Sequence, residues 1–167
     1  MRLAVALSVL FSSVLIAGQD TPSEKYESKE GKYSVQFPGK PNKTTNKAGG
    51  IDLHIAIVEM GMGGFAVIHS DFPPEAIKAA KPKALLDGGQ KGLIENFKAK
   101  VTSSRDFEFG MEKYPARELI GEKDKLNLRI QIILAGNRLY QVFVVGSKEQ
   151  VTSKEADAFF KSFEIAK

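Results

Sequence analysis

From Leu126 to Val145 the sequence runs through two alternating stretches around one Gly136-Asn137 pair, and this limits the fold more than any other feature. Read as a two-residue hairpin turn, Gly136-Asn137 sets Leu128, Ile130, Ile132 and Leu134 on one face with Val145, Phe143, Gln141 and Leu139. The opposite face carries Arg129, Gln131 and Ile133 beside Val144, Val142 and Tyr140, and is itself half apolar. A sheet that is apolar on both faces has to be covered on both, which excludes an open sheet backed by solvent.

The rest of the chain supplies strands to pair with this hairpin and helices to cover it. Tyr33, Val35 and Phe37 alternate with Ser34 and Gln36 before Pro38-Gly39, a short strand and a turn. Asn42 to Gly50 is polar and aperiodic, an edge strand or a loop. Ile51 to Val58 and Phe65 to Phe72 flank Gly61-Met62-Gly63-Gly64 and read as a second hairpin. Pro73 opens an Ala-, Lys- and Leu-rich stretch in which Pro82 breaks the helix, predicting segments over 74–80 and 82–98. Strands are predicted over Val101–Phe109, Tyr114–Gly121, Leu126–Leu134 and Leu139–Val145. Thr152 to Glu155 matches a capping box, and Ala156, Phe159, Phe160 and Phe163 fall on one helical face, which predicts a helix over 153–163 covering the Leu128–Val145 hairpin. The order of elements is that of an α+β fold, an antiparallel β-sheet covered by helices.

Met1-Arg2 and the charge-free run Leu3 to Ala17 read as a secretory signal. At about 1.5 Å per residue this run covers roughly 22 Å, short of the ~30 Å hydrocarbon layer. Residues 1–18 are therefore expected to be a cleaved signal peptide, 19–30 a flexible lead and 31–167 a single α+β domain, exported to the periplasm or the extracellular space. Cleavage leaves no stable membrane span. It also removes one positive charge, Arg2, from a net +4. The remaining lysines and glutamates are interspersed, so no stripe that would track nucleic acid is present. With no cysteine, a thiolate nucleophile, a thiol redox centre, an iron–sulfur cluster and a thiolate zinc site are all excluded.

Four segments in order resemble exported bacterial proteins of the PsbP-like α/β/α sandwich: Gly31 to Pro41, Tyr114 to Glu118, Gly136 to Val142, and Ala158 to Phe163. Where related segments read Gly-x-Pro-Gly-Arg-Glu, this chain has Lys113-Tyr114-Pro115-Ala116-Arg117-Glu118. The resemblance spans most of residues 31–165 and implies a fold. Relatives on this fold include photosystem extrinsic subunits and a nuclear GTPase-binding protein, which share no chemistry.

Chemistry-bearing residues are few. His54 and His69 are the only histidines. With the turn centred within Gly61–Gly64, His54 falls opposite Asp71 and His69 opposite Ala56, with Asp52 nearby. Two imidazoles and a carboxylate on one face are candidate metal ligands, set against a solvated polar face or a simple His54–Asp71 pair. No serine sits in a Gly-x-Ser-x-Gly elbow, and the glycines of Gly61–Gly64 and Asp87–Gly92 match no phosphate-binding loop and read as turns. Arg117 and Glu118 alternate across a strand and are expected on opposite faces. Arg117, Arg129 and Arg138 are candidates for an anion site. No catalytic residue, cofactor or metal is expected from this pattern. The reading is an exported, non-enzymatic binding or accessory domain whose partner is an unidentified protein or envelope component. The alternative is a metal-binding or hydrolytic protein using the His54, His69 and Asp71 face.

Overall fold

The computed structural model describes residues 24–166. Residues 1–18, expected to be a signal peptide, and the first part of the expected lead lie outside the described residues. Ten strands and four helices follow: β1 (Glu24–Ser28), β2 (Tyr33–Phe37), β3 (Asn42–Ala48), β4 (Ile51–Met60), β5 (Gly63–Asp71), α1 (Pro74–Ala79), α2 (Pro82–Phe97), β6 (Lys100–Phe109), β7 (Tyr114–Lys123), β8 (Leu126–Ala135), β9 (Arg138–Gly146), α3 (Lys148–Val151), α4 (Lys154–Ser162) and β10 (Glu164–Ile165). Seven strands form one antiparallel sheet in the order β3-β4-β5-β9-β8-β7-β6, and three form a smaller one, β1-β2-β10.

The β8–β9 hairpin has the register expected of its turn, with Leu134 opposite Leu139 and Leu128 opposite Val145. Gly136 takes a φ of 63°, a conformation that side-chain-bearing residues rarely adopt. As its two apolar faces require, the hairpin is covered on both sides. Leu86 and Leu93 of α2 pack on Leu128, Ile130, Ile132, Leu134, Leu139 and Phe143. Phe159 and Phe160 of α4, together with β2, pack on Ile133, Tyr140, Val142 and Val144. Helix α4 thus covers the face opposite the Leu128 row, and α2 takes the Leu128 row itself.

Two expectations need correction. The polar lead is not free throughout, because Glu24–Ser28 forms β1 and pairs along its whole length with β2. Tyr26 anchors it, with its ring 5.8 Å from Phe37 and 6.0 Å from Tyr33. The cap of α4 is Ser153, whose hydroxyl accepts from the Ala156 N–H at 3.1 Å. Thr152 instead donates to the Lys148 carbonyl at 2.8 Å and closes α3, a one-turn helix that the pattern did not announce. Tyr114 to Glu118 lies within β7, in agreement with the strand predicted from Tyr114, and the departure from Gly-x-Pro-Gly-Arg-Glu falls inside that strand. The two helical segments after Pro73 are found where the sequence puts them, and of the two readings left open for Asn42 to Gly50, an edge strand or a loop, the structure shows a strand over Asn42–Ala48.

Phe160 is 5% exposed, with the Arg129 guanidinium 4.7 Å above its ring. Phe160→Ala is expected to cost about 3–5 kcal/mol in denaturant unfolding, the usual range for emptying a buried aromatic site. A loss below ~0.5 kcal/mol would place α4 outside the cooperative core.

Candidate functional site

The β4–β5 hairpin turns at Gly61-Met62, with Gly61 at a φ of 60°, and its pairs run from Met60 opposite Gly63 to His54 opposite His69. The turn lies one residue earlier than the sequence reading placed it. Each pair therefore shifts by two positions, parity is kept, and the two histidines face each other directly. Their rings stack with centroids 4.7 Å apart and planes 15° from parallel. The adjoining registers place Thr45 opposite His54 and Tyr140 opposite His69. Thr45, His54, His69 and Tyr140 thus form one row across β3, β4, β5 and β9, on the face that looks toward the small sheet.

Asp71 does not join them. It is the cross-strand partner of Arg138, which grips both of its carboxylate oxygens at 2.6 Å. This paired hydrogen bonding holds the Asp71 carboxyl below the usual carboxylate range. The remaining Arg138 nitrogen donates to the Glu30 carbonyl at 2.7 Å, and the Tyr140 hydroxyl donates to the Gly31 carbonyl at 2.8 Å. Strand β9 thereby ties the β1–β2 turn down over the sheet.

The row opens into a cleft of about 310 Å³ between the β1–β2 hairpin and strands β3 and β4. Tyr26, Ser28 and Glu30 line one wall, Lys43 and Thr45 the other, with His54 and His69 below. The two imidazoles have different surroundings. The His54 side chain is 31% exposed, and its Nδ1 meets both the Thr45 hydroxyl at 3.3 Å and the Glu30 carboxylate at 3.6 Å. His69 is 4% exposed, and neither of its ring nitrogens has a hydrogen-bond partner. Burial, then the Arg138 and His54 charges, lower its pKa to about 4. Its ring is therefore neutral at physiological pH, offering one N–H and one lone pair.

Metal ligation asks for convergent lone pairs, and two nearly parallel stacked rings direct theirs along separate planes. Among the described residues no group of three or more His, Cys, Asp or Glu side chains is placed to hold an ion. The three candidate arginines are also apart, each already held by carboxylate. Arg117 faces α2 and binds Asp106 and Asp87, Arg129 faces α4 and binds Asp157, and Arg138 binds Asp71. Glu118 points away from Arg117 and meets Arg105 and Arg129, as strand alternation requires. Of the two glycine-rich segments, Gly61–Gly64 contains the hairpin turn, whereas Asp87–Gly92 lies inside α2. Thr45, Glu30 and Tyr140 were not singled out from the sequence. Their alignment with the histidines depends on registers between strands distant in sequence.

With an ordinary value near 6.5 when unfolded and about 4 when folded, His69 takes up its proton in the unfolded chain first as pH falls. Its contribution is fully present above pH ~6.5, is lost as pH falls toward ~4, and is constant below that; the loss is about 3 kcal/mol. Denaturant unfolding across this range, compared with His69→Phe, is expected to show the slope in the parent protein and a flatter curve in the variant.

No family model and no curated protein matches the chain. Among solved structures, the solution structure of cyanobacterial PsbP (CyanoP) from Synechocystis sp. PCC 6803 matches with a TM-score of 0.60. The match covers 93% of this chain and 98% of that one at 11% sequence identity. A likeness at that identity concerns architecture alone. The order of strands and the helices on both sheet faces give this chain the PsbP-like α+β fold.

Proposed function

We propose that the protein is an exported, non-enzymatic binding or accessory domain, with the cleft between β1 and β3 as its binding face. The observation that carries this reading is the arrangement around His54. Thr45 and Glu30 both approach the same ring nitrogen, Nδ1. A hydroxyl nucleophile and an orienting carboxylate need opposite nitrogens of one imidazole if a proton is to pass between them. The His69 nitrogens are buried beneath the cleft, so recognition falls to the polar groups that line it, Glu30, Lys43, Thr45 and His54. Export is supported by the Arg2 start and the apolar run to Ala17. No helix of the described residues is long and apolar enough to cross a membrane.

Two measurements test the reading. Intact mass of the protein from its native cell is expected to show loss of residues 1–18, and a retained Met1 would overturn export. Turnover of small esters and phosphates is expected to be the same for the parent protein and His54→Ala. Turnover abolished by that substitution would establish an enzyme.

A further inference from the structure

Among the described residues strand β3 ends the large sheet, pairing with β4 on one side only, and all seven of its residues are exposed. An edge strand leaves one row of backbone N–H and C=O groups unpaired, and proteins commonly blunt such edges with bulges, prolines or charge. Here β3 runs in unbroken register against β4 over seven pairs, with no proline between Asn42 and Ala48. The opposite edge, β6, is interrupted between Val101 and Ser103 and carries Arg105, Asp106 and Glu108, charges of both signs.

Charge is what β3 does carry, and it has one sign. Residues 38–51 contain Lys40, Lys43 and Lys47 and no acidic residue. Lys43, Thr45 and Lys47 alternate onto the face that borders the cleft, with Lys43 lining it. Lys47 reaches Asp52 at 3.4 Å, a pair with both side chains at least half exposed. Lysines of one sign repel a second copy of the same strand but attract an acidic one.

We propose that β3 is a docking edge for an extended, acidic segment of a partner protein, which joins the sheet as an added strand. Its backbone pairs with the free edge of β3. Two carboxylates four residues apart on its cleft-side face lie against Lys43 and Lys47, and the side chain between them stands beside Thr45 at the mouth of the cleft. Main-chain hydrogen bonds supply affinity and the lysines supply direction and choice of partner. The proposal rests on the binding reading above and names the partner's chemistry.

The test titrates the full protein with a capped nine-residue peptide of alternating threonine and valine bearing two glutamates four residues apart. Three companions accompany it: the same peptide with lysines for glutamates, one N-methylated at alternate backbone amides, and the Lys43→Glu/Lys47→Glu variant of the protein. Binding of the glutamate peptide is expected, weakening with added salt and by about tenfold or more in the lysine peptide, the N-methylated peptide and the charge-reversed variant. The variant is expected to prefer the lysine peptide, which shows that it remains folded and competent. Absence of binding up to about 1 mM, or binding indifferent to N-methylation, would overturn the proposal. So would self-association of a Lys43→Thr/Lys47→Thr variant without any peptide binding by the parent, because the lysines would then only guard the edge. Histidine-dependent turnover bears on the non-enzymatic reading, whereas these outcomes bear on the β3 edge alone.

Discussion

Strand β9 lies at the centre of the large sheet and is apolar on both faces, and the molecule is organised around covering it. Leu139 and Phe143 point toward α2, while Tyr140, Val142 and Val144 point toward β2 and α4. A single helical layer would leave one of these rows in water at roughly 25 cal/mol for each Å² of apolar surface, so the second layer is a condition of stability. That second layer is composite. Strands β1, β2 and β10 and helix α4 share the task, joined where the Ser162 hydroxyl accepts from the Gln36 N–H at 2.8 Å and where Phe37 and Tyr33 meet Phe159 and Phe163. The composite layer stops short of β3 and of the His54 end of β4, and the space it leaves uncovered is the cleft.

The boundary of that layer explains the unusual state of His69. The Arg138 and Tyr140 side chains hold the Glu30 and Gly31 carbonyls and press the β1–β2 turn over the sheet. Tyr33 closes over His69 from above, its ring 5.9 Å away, and His54 stacks on it from the side of β4. The imidazole is enclosed by rings and lacks a polar neighbour within hydrogen-bond reach, while of the carboxylates nearby Asp71 is taken by Arg138 and Glu30 meets His54. A charge on His69 would be poorly solvated and would face a guanidinium, which is why its neutral form prevails.

What could be read from the sequence divides along sequence distance. The β8–β9 register was legible because Gly136-Asn137 sits between two strongly alternating stretches, and the helices after Pro73 because proline marks both starts. The His54 site was half legible. Its parity followed from the alternation of Ile51 to Val58, but the identity of the opposing residue turned on a one-residue choice among Gly61, Met62, Gly63 and Gly64. Glu24–Ser28 carries a single aromatic residue and no apolar periodicity, so nothing local marks it as a strand; pairing with β2 makes it one. Arg117 presents the same difficulty in another form. A charged residue in mid-strand reads as surface, yet it is 5% exposed, because Asp106 on the neighbouring strand and Asp87 on α2 close around it.

The small sheet draws its strands from opposite ends of the described chain, with β2 between β1 and β10 and the Ala166 N–H donating to the Lys32 carbonyl at 2.9 Å. Val35 and Phe37 are wholly buried, and much of what buries them is α4. During synthesis these residues emerge more than a hundred positions before the helix that shields them. The second layer therefore cannot close on a nascent chain, whatever the first hairpins do, since long-range partners must exist before their contacts can offset the entropy of bringing them together. A chain wired in this way stays incompletely folded until its last turn of helix has been made.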